Sequence, residues 1–239
     1  MVDEISVFLS GRRACAERPL SGLTVLVVED SRFASEAMRL LCLRSGARIR
    51  RADCLRSAHR HLQTYRPVVV IVDLGLPDGS GARLIADLAA EPARRTVVLG
   101  ISGDAAREAE ARAAGADGFL TKPVESLAAF QDLILAALPP ALRPAGLHAV
   151  ADAIVSPDPL ALRDDLAHAA AVLADAPDAE AIAYITHFLG GVARSARDPA
   201  LEVAAAALAQ ADQAGSPTGA RLADVAGVLR ARLSACATI

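Results

Sequence analysis

Val68-Val69-Val70-Ile71-Val72-Asp73-Leu74-Gly75-Leu76-Pro77-Asp78-Gly79 is an apolar run that ends on an acid and then breaks into turn residues. Five β-branched residues in a row read as a strand buried on both faces, the habit of parallel sheets covered by helices on each side. The design recurs along the chain. Strand candidates are Thr24 to Val28, Ala47 to Arg51, Val68 to Val72, Thr96 to Ile101 and Gly118 to Leu120. Helix candidates lie between and after them, at Arg32 to Arg44, Leu55 to Tyr65, Ala82 to Ala90, Ala105 to Ala114 and Glu125 to Leu138. Repeated βα units with right-handed crossovers imply an α/β doubly wound five-stranded parallel sheet. The second strand carries Arg48, Arg50 and Arg51, so it belongs at an edge.

In such a sheet the binding crevice lies at the carboxyl ends of the strands. Glu29 and Asp30 follow the first strand, Asp73 the third, Ser102 the fourth and Lys122 the fifth. Of the 25 Lys and Arg residues, Lys122 is the only lysine. A chain that writes arginine elsewhere and keeps one ammonium here needs a compact charge on a flexible stem, which points to a small anionic site. Carboxylates packed together repel, and a divalent cation relieves them. Hard oxygen ligands suit Mg²⁺, which retains coordination positions for a phosphoryl group. A carboxylate nucleophile, an ammonium and a hydroxyl around such a cation are the parts phosphoryl transfer requires. The Gly75 to Gly81 stretch has neither the order nor the lysine of a nucleotide phosphate loop.

From Leu23 to Leu138 these residues resemble the receiver domain of bacterial two-component response regulators. The resemblance rests on Glu29-Asp30, on Asp73 followed by Leu76-Pro77-Asp78-Gly79, on Ser102-Gly103 and on Lys122-Pro123. It implies a flavodoxin-like fold in which Asp73 takes a phosphoryl group from a phosphohistidine. It further implies that Mg²⁺ is held by Asp30, Asp73 and the Gly75 carbonyl, with Glu29 helping through water. Ser102 and Lys122 would hold the phosphoryl oxygens, and Phe119 stands at the family's aromatic switch position. A core strand aromatic is the plainer alternative for Phe119.

Prolines 139, 140, 144, 157 and 159 mark a linker over residues 139–158, within which Leu147 to Val155 reads as a short helix. The expected division is an extension at 1–22, a receiver at 23–138, the linker, and an all-α four-helix bundle at 159–237. Its helices are expected near Pro159 to Ala174, Ala179 to Arg197, Ala200 to Ala214 and Thr218 to Cys236, with breaks at Pro177, Asp198-Pro199 and Gly215-Ser216-Pro217. The second bundle helix has its seam at Ile182, Ile185, Leu189, Val192 and Ala196. At about 100° per residue His187 projects opposite that seam, toward solvent. Gly190-Gly191 in mid-helix costs about 1 kcal/mol per glycine against alanine, a sign that another backbone or domain comes close.

His187-Phe188-Leu189-Gly190-Gly191-Val192-Ala193 resembles the histidine-phosphotransfer motif, with Gly190 where the motif has lysine and Val192 where it has serine. That resemblance implies a phosphohistidine at His187, with Gly191 leaving room beside it and Arg194 replacing part of the lost charge. Two readings of the bundle follow. It relays phosphoryl groups through His187, or it is a docking module that carries none. Either way the chain is a phosphoacceptor rather than a conventional enzyme.

The partners implied are a sensor histidine kinase or phosphotransfer protein, and another receiver domain. Residues 156–239 hold six arginines against ten acids, a net −4 that lacks the footprint for nucleic-acid phosphates, so no nucleic acid is expected. The acidic N-terminus and the lack of any long apolar run argue for no membrane partner and a cytoplasmic setting. Four scattered cysteines fit a reducing compartment. Oligomeric state is left open by the sequence.

Overall fold

A computed structural model describes residues 15, 17–91, 96–144, 153–175 and 177–236. Its five-stranded sheet comprises β1 (Thr24–Val28), β2 (Arg48–Ala52), β3 (Val69–Asp73), β4 (Val97–Ser102) and β5 (Gly118–Thr121). All pairs are parallel, in the order β2-β1-β3-β4-β5, which leaves the arginine-rich β2 at an edge as its sequence demands. Alternate residues serve opposite faces. Val25, Val27, Val69 and Ile71 pack against α1 (Arg32–Arg44) and a C-terminal helix, Leu127–Ala137. Leu26, Val28, Val70 and Val72 pack on the other face, against α2 (Leu55–Thr64), α3 (Gly81–Ala89) and Ala111 of α4 (Glu108–Ala113). Leu127–Ala137 is α5. Ala105–Arg107, expected as the start of a single helix, is a separate 3-10 turn capped by Asp104.

Residues 147–152 of the expected linker helix lie outside the described residues. The end of the linker is no free spacer. Leu127 N–H donates to the Ala153 carbonyl at 2.9 Å and Val155 N–H to that of Glu125 at 3.0 Å, and the buried Val155 joins the core beside α5. The sequence shows prolines there, but not this pairing, because it depends on where the chain returns.

Four helices follow: α6 (Pro159–Ala174), α7 (Ala179–Ser195), α8 (Pro199–Gln213) and α9 (Gly219–Cys236). Asp158, Asp178 and Asp198 each cap a helix by accepting from a backbone N–H, with proline at the first position of α6 and α8. Leu166, Ile182, Ile185, Leu189, Val192, Leu208, Val225 and Leu229 form their own apolar core. No described helix is long and apolar enough to cross a membrane.

Candidate functional site

The carboxyl ends of β1, β3, β4 and β5 bring Glu29, Asp73, Ser102 and Lys122 into one pocket, where they are 4%, 3%, 1% and 5% exposed. Lys122 Nζ donates to Asp73 Oδ2 at 2.8 Å and sits 2.7 Å from Glu29 Oε2. The second contact is a buried ion pair, and Lys122 is the one partner of Glu29 Oε2 among the described residues. Glu29 Oε1 accepts from the Ser31 N–H at 3.2 Å. Asp73 Oδ1 accepts from the Gly75 N–H at 3.3 Å, which holds the loop after β3 against its own carboxylate. Ser102 Oγ accepts from the Asp104 N–H at 3.1 Å, and the Ser102 carbonyl accepts from the Lys122 N–H at 2.9 Å, tying β4 to the lysine loop. The Lys122-Pro123 peptide is cis.

Electrostatics follow from this crowding. Burial, with Asp73 and Asp30 beside it, holds Glu29 well above the usual carboxylate range against the pull of Lys122. Burial and the neighbouring Asp73 push Asp30 up to about 7. Burial opposes the charge of Lys122, but Asp73 and Glu29 outweigh it and raise its pKa. Oxygens of Glu29, Asp30 and Asp73 all lie within 4.8 Å of one another. Three hard carboxylates this close together fit a small divalent cation. Asp30→Asn is therefore expected to weaken Mg²⁺ binding at least about tenfold, since the site loses both a ligand and a charge; calorimetric titration of the full chain checks this.

Phe119 is half-buried and packs on the face of the sheet that carries α4, beside Gly100. An added Cβ on Gly100 would come within 3.1 Å of its ring, so the small residue makes that position possible.

The face of α7 that carries His187 does lie opposite the bundle seam, but it does not look into solvent. It lies across the mouth of the pocket. Tyr184 donates its hydroxyl to Asp30 Oδ2 at 3.0 Å. The His187 ring occupies the space that any side chain at Gly75 would need, because a Cβ built there overlaps it. Gly191 follows, with its Cβ direction 3.7 Å from Lys122 Nζ, and Arg194 lies against Gly103 while pairing with Glu202 at 2.9 Å. The expectation of a solvent-facing histidine fails because a helix pattern locates the bundle's own core and is blind to a second domain. Burial lowers the pKa of His187, and Arg107, Lys122 and Arg194 add to that against the pull of Asp73. Gly190 has only Arg194 within 4 Å, at 3.9 Å, so no close approach accounts for that glycine. Gly190→Ala is expected to stabilise the bundle by about 1 kcal/mol, read from its thermal transition.

Sequence reasoning missed two residues here. One is Tyr184. The other is Asp165, 2% exposed on α6, whose Oδ1 accepts from the Arg32 N–H at 2.8 Å and whose Oδ2 accepts from Ser31 Oγ at 2.7 Å and the Phe33 N–H at 3.0 Å. It satisfies the open N-terminus of α1 with a carboxylate from the other domain. The signal was present, since Asp165 stands three after Leu162, one before Leu166 and four before Ala169, an acid inside an apolar stripe.

A parallel sheet in this strand order, with acids and one lysine at its carboxyl ends, defines a receiver-type domain. The family model described as the response regulator receiver domain matches residues 25–134, which places a receiver domain in this part of the chain. Among curated proteins, the KDP operon transcriptional regulatory protein KdpE of Escherichia coli is 35% identical over 99 residues, 41% of this chain and 44% of KdpE. The virulence transcriptional regulatory protein PhoP of Salmonella typhimurium is 31% identical over 102 residues, 42% of this chain and 46% of PhoP. The chain thus spans less than half the length of these relatives. Among solved structures, the chemotaxis response regulator CheY4 of Vibrio cholerae is 22% identical with a TM-score of 0.44, covering 48% of this chain and 98% of CheY4.

The expectation of no nucleic-acid partner is corrected by these relatives, which are transcriptional regulatory proteins. It rested on the net charge of one segment. Charge weighs that segment's direct contact with phosphates and has no bearing on a protein's place in transcriptional control.

Proposed function

We propose that the chain is a phosphorelay protein in which Asp73 accepts a phosphoryl group from a phosphohistidine and the C-terminal bundle serves that exchange through His187. The observation that carries this reading is the convergence of Asp73, Glu29, Asp30, Ser102 and Lys122 in one buried pocket. An Asp73 carboxylate oxygen forms the new bond to phosphorus as the phosphorus–nitrogen bond of the donor breaks. The departing imidazole nitrogen keeps the electron pair and takes a proton from solvent. Mg²⁺, held by Glu29, Asp30, Asp73 and the Gly75 carbonyl, would neutralise charge on the phosphoryl oxygens. Lys122, already on Asp73, holds one of those oxygens, and the Ser102 hydroxyl faces another. A cytoplasmic setting accompanies the reading.

The bundle admits a second reading as a docking module, favoured by Gly190 and Val192 standing where the phosphotransfer motif has lysine and serine. Incubating the full chain with a phosphorylated kinase or phosphotransfer protein separates the two. The relay predicts an acid-labile, base-resistant label that His187→Ala abolishes and Asp73→Asn spares; a chain that never carries such a label is a docking protein at its C-terminal end.

A further inference from the structure

Tyr184, His187, Gly191 and Arg194 lie three, four and three residues apart and so form one stripe of α7. Along that stripe they meet Asp30 after β1, Gly75 after β3, Lys122 after β5 and Gly103 after β4. One helix face therefore spans the ends of four strands. Further links hold the bundle there: from α6, Asp165 on the N-terminus of α1 and Asp164 paired with Arg32, and beyond α7, Arg197 paired with Glu125. The covered surface is the one a phosphoryl donor has to approach, and the acceptor beneath it is closed. A groove of about 1270 Å³ remains open beside α6, lined by Glu29, Asp30, Asp53, Asp164, Asp165 and Tyr184 among others. Asp73 does not line it. Asp30 is open to that groove, whereas the space beside Gly75 is filled by His187.

Gly75 makes the fit possible. At this position, two residues after Asp73, any side chain would enter volume that is filled by the ring of His187. The residue missing its side chain in the receiver and the histidine presented by the bundle are complementary in shape.

We propose that the α7 stripe is an interaction surface for this chain's own receiver, with Gly75 the residue that selects it, and that the docked bundle is a lid which denies outside donors access to Asp73. This rests on the reading of Asp73 as phosphoacceptor. In the docked state His187 is the group that faces the acceptor. An outside donor gains entry when α6 and α7 lift together, and Asp165 is the latch that opposes lifting, because its departure leaves two backbone N–H groups and a serine hydroxyl in need of partners.

The test uses the full chain, Mg²⁺ and acetyl phosphate as donor, with the labelling rate of Asp73 followed beside hydrogen exchange at the amides of Arg32 and Phe33. Asp165→Ala is expected to label at least about tenfold faster than the unaltered chain, the effect of losing roughly one charge-assisted hydrogen bond from the docked state. Arg32 and Phe33 should lose protection at the same time, while Leu189 and Val192 keep theirs and report an intact bundle. Tyr184→Phe, which keeps the ring and removes only the hydroxyl on Asp30, should raise the rate in the same direction by a smaller factor. Gly75→Ala should expose Arg32 and Phe33 as Asp165→Ala does. Lost protection with unchanged labelling rates would overturn the lid, and rapid exchange of Arg32 and Phe33 in the unaltered chain would overturn the docking itself. If no chain takes label while both amides stay protected, the acceptor reading fails, the docking stands, and the lid has nothing to guard.

Discussion

Lys122→Met is expected to destabilise the receiver by about 3–5 kcal/mol when divalent cations are chelated, the cost of leaving a buried charge without its partner. Lys122 is 5% exposed and serves Glu29 and Asp73 at once, so its loss strands two carboxylates rather than one. Methionine fills nearly the same volume, which separates lost charge from lost packing. Glu29 already stands well above the usual carboxylate range with the ammonium in place. Without it the cluster relaxes by taking up protons or by opening to water. Because Mg²⁺ supplies a replacement charge, the deficit should shrink when it is added. Exchange at the amides of Val70 and Val98, in the middle of the sheet, measures the stability of this domain separately from the bundle. Equal protection in the two chains without cations would show that the lysine is not what offsets the acids.

Gly81→Ala is the second large effect, and it acts on the backbone. A Cβ at this position would overlap the carbonyl oxygen and carbonyl carbon of Asp73, and would lie 3.0 Å from Val72 Cγ1. The first two atoms belong to the end of β3 and cannot rotate away. Gly81 also donates its N–H to the Leu74 carbonyl at 3.2 Å, so α3 begins in direct contact with the end of β3. Overpacking costs about 1–3 kcal/mol where side chains can yield, and backbone overlap belongs at the top of that range or above it. A urea titration should show the lower midpoint, and Asp73 should lose most of its labelling even where the sheet survives. Gly227→Ala is the control, since a Cβ in that α9 position meets only Arg230, at 4.0 Å. It should leave labelling unchanged and add roughly 0.5–1 kcal/mol to the bundle. A Gly81→Ala chain as stable and as readily labelled as Gly227→Ala would mean the α3 start yields without moving the acceptor.

Much of the receiver was legible because its signals are local. Val68 to Val72 can be nothing but a doubly covered strand, and the acids, serine and lysine announce themselves by standing just after such runs. The bundle helices and the breaks between them were equally readable from proline, glycine and apolar spacing. What the sequence did not disclose is how the domains meet. The face of His187 was placed correctly relative to the seam of α7, yet the surroundings of that face depend on residues more than a hundred positions away. Asp165 illustrates the same limit, since nothing in α6 names the N-terminus of α1 as its partner. The Gly190-Gly191 pair was read as evidence of close approach, but a Cβ at either position would stand at ordinary contact distance, 3.9 Å from Arg194 and 3.7 Å from Lys122 Nζ, so neither glycine is required by its neighbours. Net charge misled most, because a sum over a segment was asked to decide a biological role.

The central claim is that an acidic pocket closed by one ammonium captures a phosphoryl group on Asp73. Mass mapping of the full chain after exposure to acetyl phosphate and Mg²⁺ tests it directly. The account predicts a single added phosphoryl group on the peptide that contains Asp73, absent in Asp73→Asn and absent when a chelator replaces the cation. No label on that peptide with the cation present, or label on it that survives Asp73→Asn, would contradict it.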